Sequence, residues 1–143
     1  FSHMTAKDPF HLAFPVHSLL EARRFYVGML GCVEGRSSEE WIDFNFYGHQ
    51  VVAHLVKGYS AASDANSVDG DDVPIRHFGV VLSMEDWSEL SDKLKQSEVE
   101  FLVEPHVRFK GLAGEQATMF VRDLSGNALE FKAFKDLSKL FDQ

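Results

Sequence analysis

RHFGVVL, residues Arg76–Leu82, decides the reading of this chain, because FHLAFPV at Phe10–Val16 repeats it. Sliding one onto the other by 66 positions puts His77 on His11, Phe78 on Leu12, Gly79 on Ala13, Val80 on Phe14 and Leu82 on Val16. In a strand successive side chains alternate between faces. His11 and Ala13 therefore point one way and Leu12, Phe14 and Val16 the other, and the second copy repeats the arrangement. Each strand offers one imidazole on a face kept clear by small residues, with large apolar residues behind it to pack under a helix.

The repeat extends beyond these two strands. Ser18 caps a helix running to about Met29, stopped by Gly31. Strands are expected at Cys32–Arg36, at Trp41–Phe46, where WIDFNF alternates, and at His49–Lys57. In the second copy Ser83 caps the helix MEDWSELSDKLKQ, with Trp87, Leu90 and Leu94 as its buried stripe. Strands then fall at Phe101–Phe109, interrupted by Pro105 and so an edge or a bulge, at Gln116–Arg122, and at Ala128–Phe134 after the Leu124–Asn127 turn. The fold class is α+β: two tandem βαβββ modules at 8–57 and 75–134, forming a cupped mixed sheet. Residues 58–74, rich in Ser, Ala, Asp, Asn and Gly without periodicity, read as a linker, and 135–143 as a helical tail. Ser2-His3-Met4 looks like a cloning remnant, so residues 1–7 are expected to be disordered and His3 takes no part in the chemistry.

Composition narrows the function. With 143 residues, 45% hydrophobic and 25% charged, the chain is expected to form a single compact unit. A formal charge of -8 argues against nucleic acid and anionic membranes, which call for clustered Lys and Arg. A small molecule is the expected partner. No apolar run approaches a membrane span and no leader opens the sequence, so a soluble cytoplasmic protein is expected. Cys32, the lone cysteine, fits a reducing compartment and a core position.

The closing strands of the two halves, VVAHLV and NALEFKAF, each place a metal-competent side chain in the middle: His54 and Glu130. Taken singly, a strand histidine is more often a core or rim residue than a ligand, and a lone glutamate a surface carboxylate paired to Lys132 or Arg122. Repetition changes the balance, since His11, His77, His54 and Glu130 fall at two matched pairs of positions in the duplication. Two imidazoles and a carboxylate with open positions suit non-haem Fe(II) oxygen chemistry, and adding His54 gives a Lewis-acid set that also suits Ni(II), Mn(II) or Zn(II). Gln50, Asn45 and Asp43 are candidates to orient an imidazole through its free nitrogen. Arg108 and Lys110, beside a glycine-containing loop, are candidates for an anionic substrate group. His49 and His106 are acid/base candidates, here or at strand ends in water. Trp41 and Phe109 join Phe44, Phe46 and Phe120 as aromatic surface for a cavity or a core.

HLAFPV, HFGVVL and the Asp-x-x-Gly-Asn-x-x-Glu form of Asp123–Glu130 resemble the vicinal oxygen chelate superfamily over residues 8–134. That group contains glyoxalase I, extradiol dioxygenases, fosfomycin-resistance transferases, methylmalonyl-CoA epimerase and bleomycin-resistance proteins. The resemblance implies metal ligands from the first and last strands of the modules, here His11, His54, His77 and Glu130. GRSSEEWIDFNFYGHQVVAH and PHVRFKGLAGEQATMFVRDLSGNALEFKAF are most similar to small predicted extradiol-type dioxygenases, whose pattern needs only His11, His77 and Glu130. His54 is then a fourth ligand or a nearby acid/base. A dioxygenase-like oxidoreductase acting on an oxygen-chelating substrate, an aromatic diol among the candidates, is the leading expectation, with Fe(II) as its ion. A glyoxalase I-like lyase, expected to carry Glu where this chain has His54, and a non-catalytic sequestering protein are the alternatives. The resemblance also implies a homodimer.

Overall fold

The computed structural model of the protein describes residues 8–61, 65–68 and 71–142. The readings made for residues 1–7 lie outside the described residues. Contacts divide the chain into two compact units, where composition suggested one: Phe1–Ala61 with Asp123–Asn127, and Ala62–Arg122 with Ala128–Gln143.

In the first unit β1 (His11–Val16) leads into α1 (Leu19–Arg23), whose last turns, Arg24–Met29, widen into a π-helix. Ser18 Oγ accepts from Glu21 N at 3.2 Å, capping α1, and Gly31, at φ 81, ends it. The widening departs from the regular helix that the sequence suggests. It accompanies two adjacent rings, Phe25 and Tyr26, that are both fully buried, which a regular 3.6-residue stripe accommodates poorly. Then come β2 (Val33–Ser37), β3 (Trp41–Phe46) and β4 (His49–Leu55), in the sheet order β1-β4-β3-β2, with β1 parallel to β4. Ile42, Phe44 and Phe46 are buried as their alternation predicts, and Trp41, Asp43 and Asn45 take the other face.

The second unit opens with a feature absent from the linker reading of 58–74. β5 (Ala65–Val68) and β6 (Asp71–Pro74) pair as an antiparallel hairpin, and Val73 is buried with Val103 and Phe120. After β7 (His77–Leu82) runs α2 (Met84–Lys95), capped by Ser83, which buries Trp87, Leu90 and Leu94. Strands β8 (Glu100–Arg108), β9 (Gln116–Arg122) and β10 (Ala128–Phe134) complete a sheet ordered β7-β10-β9-β8, with β7 parallel to β10. This repeats the first sheet strand for strand. β8 is the edge strand and its pairing with β9 is irregular, which is where Pro105, lacking a donor, can sit. The tail carries a short 3₁₀ turn, Leu137–Lys139, in place of a longer helix.

Candidate metal centre

In the second unit the two predicted ligands meet. Glu130 pairs with Gly79 in the β7–β10 ladder and His77 with Ala128, so the two side chains share a face. Leu129 and Phe131 point into the core, each 0% exposed, and hold Glu130 outward. His77 Nε2 lies 3.5 Å from Glu130 Oε1, with side-chain exposures of 25% and 16%. The glutamate is steadied by Thr118, whose Oγ1 donates to Oε2 at 2.7 Å. The imidazole is steadied by the Pro74 carbonyl, 2.8 Å from Nδ1, and by the Phe120 ring, edge-on at 4.9 Å. Arg122, a possible partner for Glu130 by sequence, pairs instead with Glu100.

These contacts restrict what can sit between the pair. A carbonyl only accepts, so Nδ1 of His77 carries a proton, and in the neutral ring Nε2 then bears a lone pair. That lone pair faces a carboxylate oxygen. Two acceptors this close need a positive charge, either a proton on the ring or a metal ion bound by both. Ligands at about 2.1 Å from one ion are about 3.0 Å apart at a right angle and about 3.4 Å apart at a tetrahedral angle. The observed 3.5 Å fits such a bite with little adjustment. Among the described residues no group of three or more His, Cys, Asp or Glu side chains forms a ready-made cluster.

In the first unit His11 stands opposite Gln50, and its Nδ1 is 2.7 Å from Gln50 Oε1; Gln50 Nε2 donates in turn to Asp43 Oδ2 at 3.2 Å. Gln50 thus touches an imidazole, as its place on β4 suggested. The matching of His54 with Glu130 needs correction. Glu130 lies opposite Gly79, and the counterpart of Gly79 is Ala13, which lies opposite Val52. Val52, 5% exposed, therefore holds the position equivalent to Glu130. His54 lies opposite Pro15, four residues beyond His11 along the sheet, about 13 Å at a strand's rise. It is exposed, beside Trp41 on β3.

The other candidates scatter. Asn45 Oδ1 accepts from Gly48 N at 2.8 Å and so closes the β3–β4 turn. His49 Nδ1 accepts from Phe10 N at 2.8 Å, and His106 Nδ1 lies 3.1 Å from Glu104 O on the edge strand. Arg108 lays its guanidinium over the exposed Phe109 ring, 5.2 Å from the centroid, and Lys110 is exposed beside them. Sequence reasoning missed Thr118 and the Pro74 carbonyl. Only the pairing of β9 with β10 reveals Thr118, and no side-chain signal reveals a backbone acceptor.

The Asp-x-x-Gly-Asn turn serves a different purpose. Asp123, 5% exposed, accepts from Tyr26 Oη at 2.8 Å, from Ser125 N and Asn127 N at 2.9 Å each, and from Asn127 Nδ2 at 2.9 Å. Asn127 Nδ2 also reaches the Pro15 carbonyl, and its Oδ1 accepts from Tyr59 Oη. Burial, reinforced by the neighbouring Asp123 carboxylate, pushes the Tyr26 phenol well above its ordinary pKa.

Comparison with known proteins bears on this arrangement. The model of the Glyoxalase/Bleomycin resistance protein/Dioxygenase superfamily matches residues 9–131. A crystal structure of a glyoxalase/bleomycin resistance protein/dioxygenase from Alicyclobacillus acidocaldarius is 35% identical, over 94% of this chain and 97% of that one, with a TM-score of 0.74. A glyoxalase/dioxygenase from Nostoc punctiforme (12% identity, 91% and 92% covered, TM-score 0.68) shares the fold. So does the genomically encoded fosfomycin resistance protein FosX of Listeria monocytogenes (16% identity, 90% and 94% covered, TM-score 0.65). A search of curated proteins gives no match. Among the described residues no helix is long and apolar enough to cross a membrane.

Proposed function

Because the chain belongs to the Glyoxalase/Bleomycin resistance protein/Dioxygenase superfamily, we propose that it is a divalent-metal-dependent enzyme of the vicinal oxygen chelate type. Its ligands are His11, His77 and Glu130, and its reaction is dioxygenase-like, on a small substrate that offers two adjacent oxygens. The observation that carries this reading is the His77 and Glu130 pair, an imidazole Nε2 facing a carboxylate oxygen at 3.5 Å with Nδ1 held by the Pro74 carbonyl. A divalent ion bound there supplies Lewis-acid polarisation of substrate oxygens and, in a two-His, one-carboxylate set, leaves coordination positions open. The chain's own residues do the holding: Pro74 O fixes the His77 tautomer, and Thr118 turns Glu130 so that Oε1 faces the ring.

Val52 at the position equivalent to Glu130 favours this three-ligand set over the four-ligand, glyoxalase I-like alternative. His54, displaced along the sheet, is left to an acid/base or substrate-facing role. Arg108 and Lys110 remain candidates for an anionic substrate group.

The test is metal analysis of untagged protein, before and after incubation with Fe(II), Ni(II), Mn(II) and Zn(II). About one ion per chain is expected, lost in His77→Ala and in Glu130→Gln. A stoichiometry near zero under every condition overturns the proposal. Oxygen uptake with a panel of catechols by the Fe(II)-loaded protein then separates dioxygenase from glyoxalase-like chemistry. A homodimer is part of the same reading, and light scattering at micromolar concentration checks it.

A further inference from the structure

We infer that Asp43 is a positioning residue, which acts through Gln50 to fix His11 in the tautomer with its proton on Nδ1 and its lone pair on Nε2. Only groups of the first unit are involved. A side-chain amide has one end that donates and one that accepts, and its neighbours decide which way it faces. Asp43 Oδ2, a carboxylate oxygen that only accepts, lies 3.2 Å from the Gln50 amide and takes its NH₂ end. The carbonyl end is thereby committed to His11, where Oε1 lies 2.7 Å from Nδ1. That oxygen also only accepts, so the ring must donate from Nδ1. Flipping the amide would set its oxygen against the Asp43 carboxylate, acceptor against acceptor, and this cost persists even if the ring moves its proton to receive the NH₂.

The default runs the other way. An unconstrained neutral histidine prefers its proton on Nε2, which would block the nitrogen that points away from Gln50. The second unit reaches the same result by other means. The counterpart of Gln50 there is Ala128, too short to touch His77, and the Pro74 carbonyl takes over the acceptor's task. Two imidazoles at equivalent positions of the repeat thus each have Nδ1 tied to an oxygen, leaving Nε2 as the nitrogen that can take another partner. The relevance of this to metal binding rests on the ligand set proposed above; the tautomer itself does not.

The experiment reads the ring directly. Full-length, metal-free protein with ¹⁵N-labelled histidine is studied at about pH 9, where ordinary imidazoles are neutral. Long-range ¹H–¹⁵N correlations then tell protonated from bare nitrogens, with His11→Gln identifying the signals. In the unaltered protein His11 is expected with its proton on Nδ1. The isosteric Asp43→Asn can donate to Gln50, lets the amide turn over, and is expected to move His11 toward the Nε2-protonated form. Adding Gln50→Glu to that variant restores an acceptor beside Nδ1 and is expected to bring the first tautomer back. A His11 ring already protonated on Nε2, or unchanged in Asp43→Asn, overturns the inference. Mn(II) titration runs in parallel, with a loss of about 10- to 100-fold expected in Asp43→Asn. If the tautomer shifts as described but His11→Ala binds Mn(II) as tightly as before, the assignment of His11 as a ligand fails and the relay stands.

Discussion

Tyr26 is 0% exposed and its hydroxyl has Asp123 as partner at 2.8 Å, so the phenol can ionise only by placing a second negative charge in a buried site. That fixes the sign of the pH effect. The folded-state pKa is raised, so the stabilisation is fully present below the unfolded phenol's value near 10 and is lost as pH climbs toward the folded value. Above about pH 10 the unfolding free energy is expected to fall by up to about 1.4 kcal/mol per pH unit. Urea melts between pH 8 and 11 check this, and Tyr26→Phe should show a shallower decline. At neutral pH that variant should cost about 1–3 kcal/mol, because Asp123 loses a donor. Thr118 gives a second prediction at this scale. Thr118→Val keeps the shape and removes the bond to Glu130 Oε2. Metal affinity, measured by Mn(II) titration, should fall about 10- to 100-fold while the urea midpoint changes little.

The tightest requirement between elements is at the crossing of β7 and β10. A Cβ built on Gly79 would run into the Glu130 carbonyl, so this residue lets two parallel strands approach where the His77 and Glu130 side chains must meet. Gly79→Ala is expected to cost about 3 kcal/mol, read as a lower urea midpoint, and to abolish metal binding even where the protein remains folded. At the scale of elements most of the fold was legible. WIDFNF alternates cleanly and forms β3, and Ser18 and Ser83 cap the two helices as their sequence positions suggest. Register was not legible. Aligning VVAHLV with NALEFKAF on their central polar residues puts His54 on Glu130, but the turns before β4 and β10 differ in length, so only the ladders reveal Val52 as the equivalent. The π-helical turn is equally hidden, because adjacent buried rings look, in sequence, like one stripe slightly overfilled.

Viewed as a whole, the chain does not divide where its sequence repeat does. Asp123–Asn127 belongs by its contacts with the first unit, while Arg122 and Ala128 on either side pair with each other in the second. The first unit therefore borrows its buried carboxylate from the far half of the sequence. A fragment ending at Ala61 keeps Tyr26 but loses Asp123, Ser125 and Asn127. It is expected not to reach the native state, which the dispersion of its amide NMR signals would reveal; a well-dispersed spectrum would contradict this. That dependence is invisible in the sequence, where Leu124–Asn127 reads as a turn between strands and nothing marks the Asp123 carboxylate before it for burial beside Tyr26.

Val52 has one more consequence. If the ion is held by the proposed set of two neutral imidazoles and a single carboxylate, it would retain one unit of positive charge and so favour a chelator that arrives or becomes anionic. Val52→Glu would cancel that excess. The neutral centre should then grip the dication more tightly yet hold catecholate-like inhibitors less well, so one apolar side chain would tune the charge of the molecules that bind.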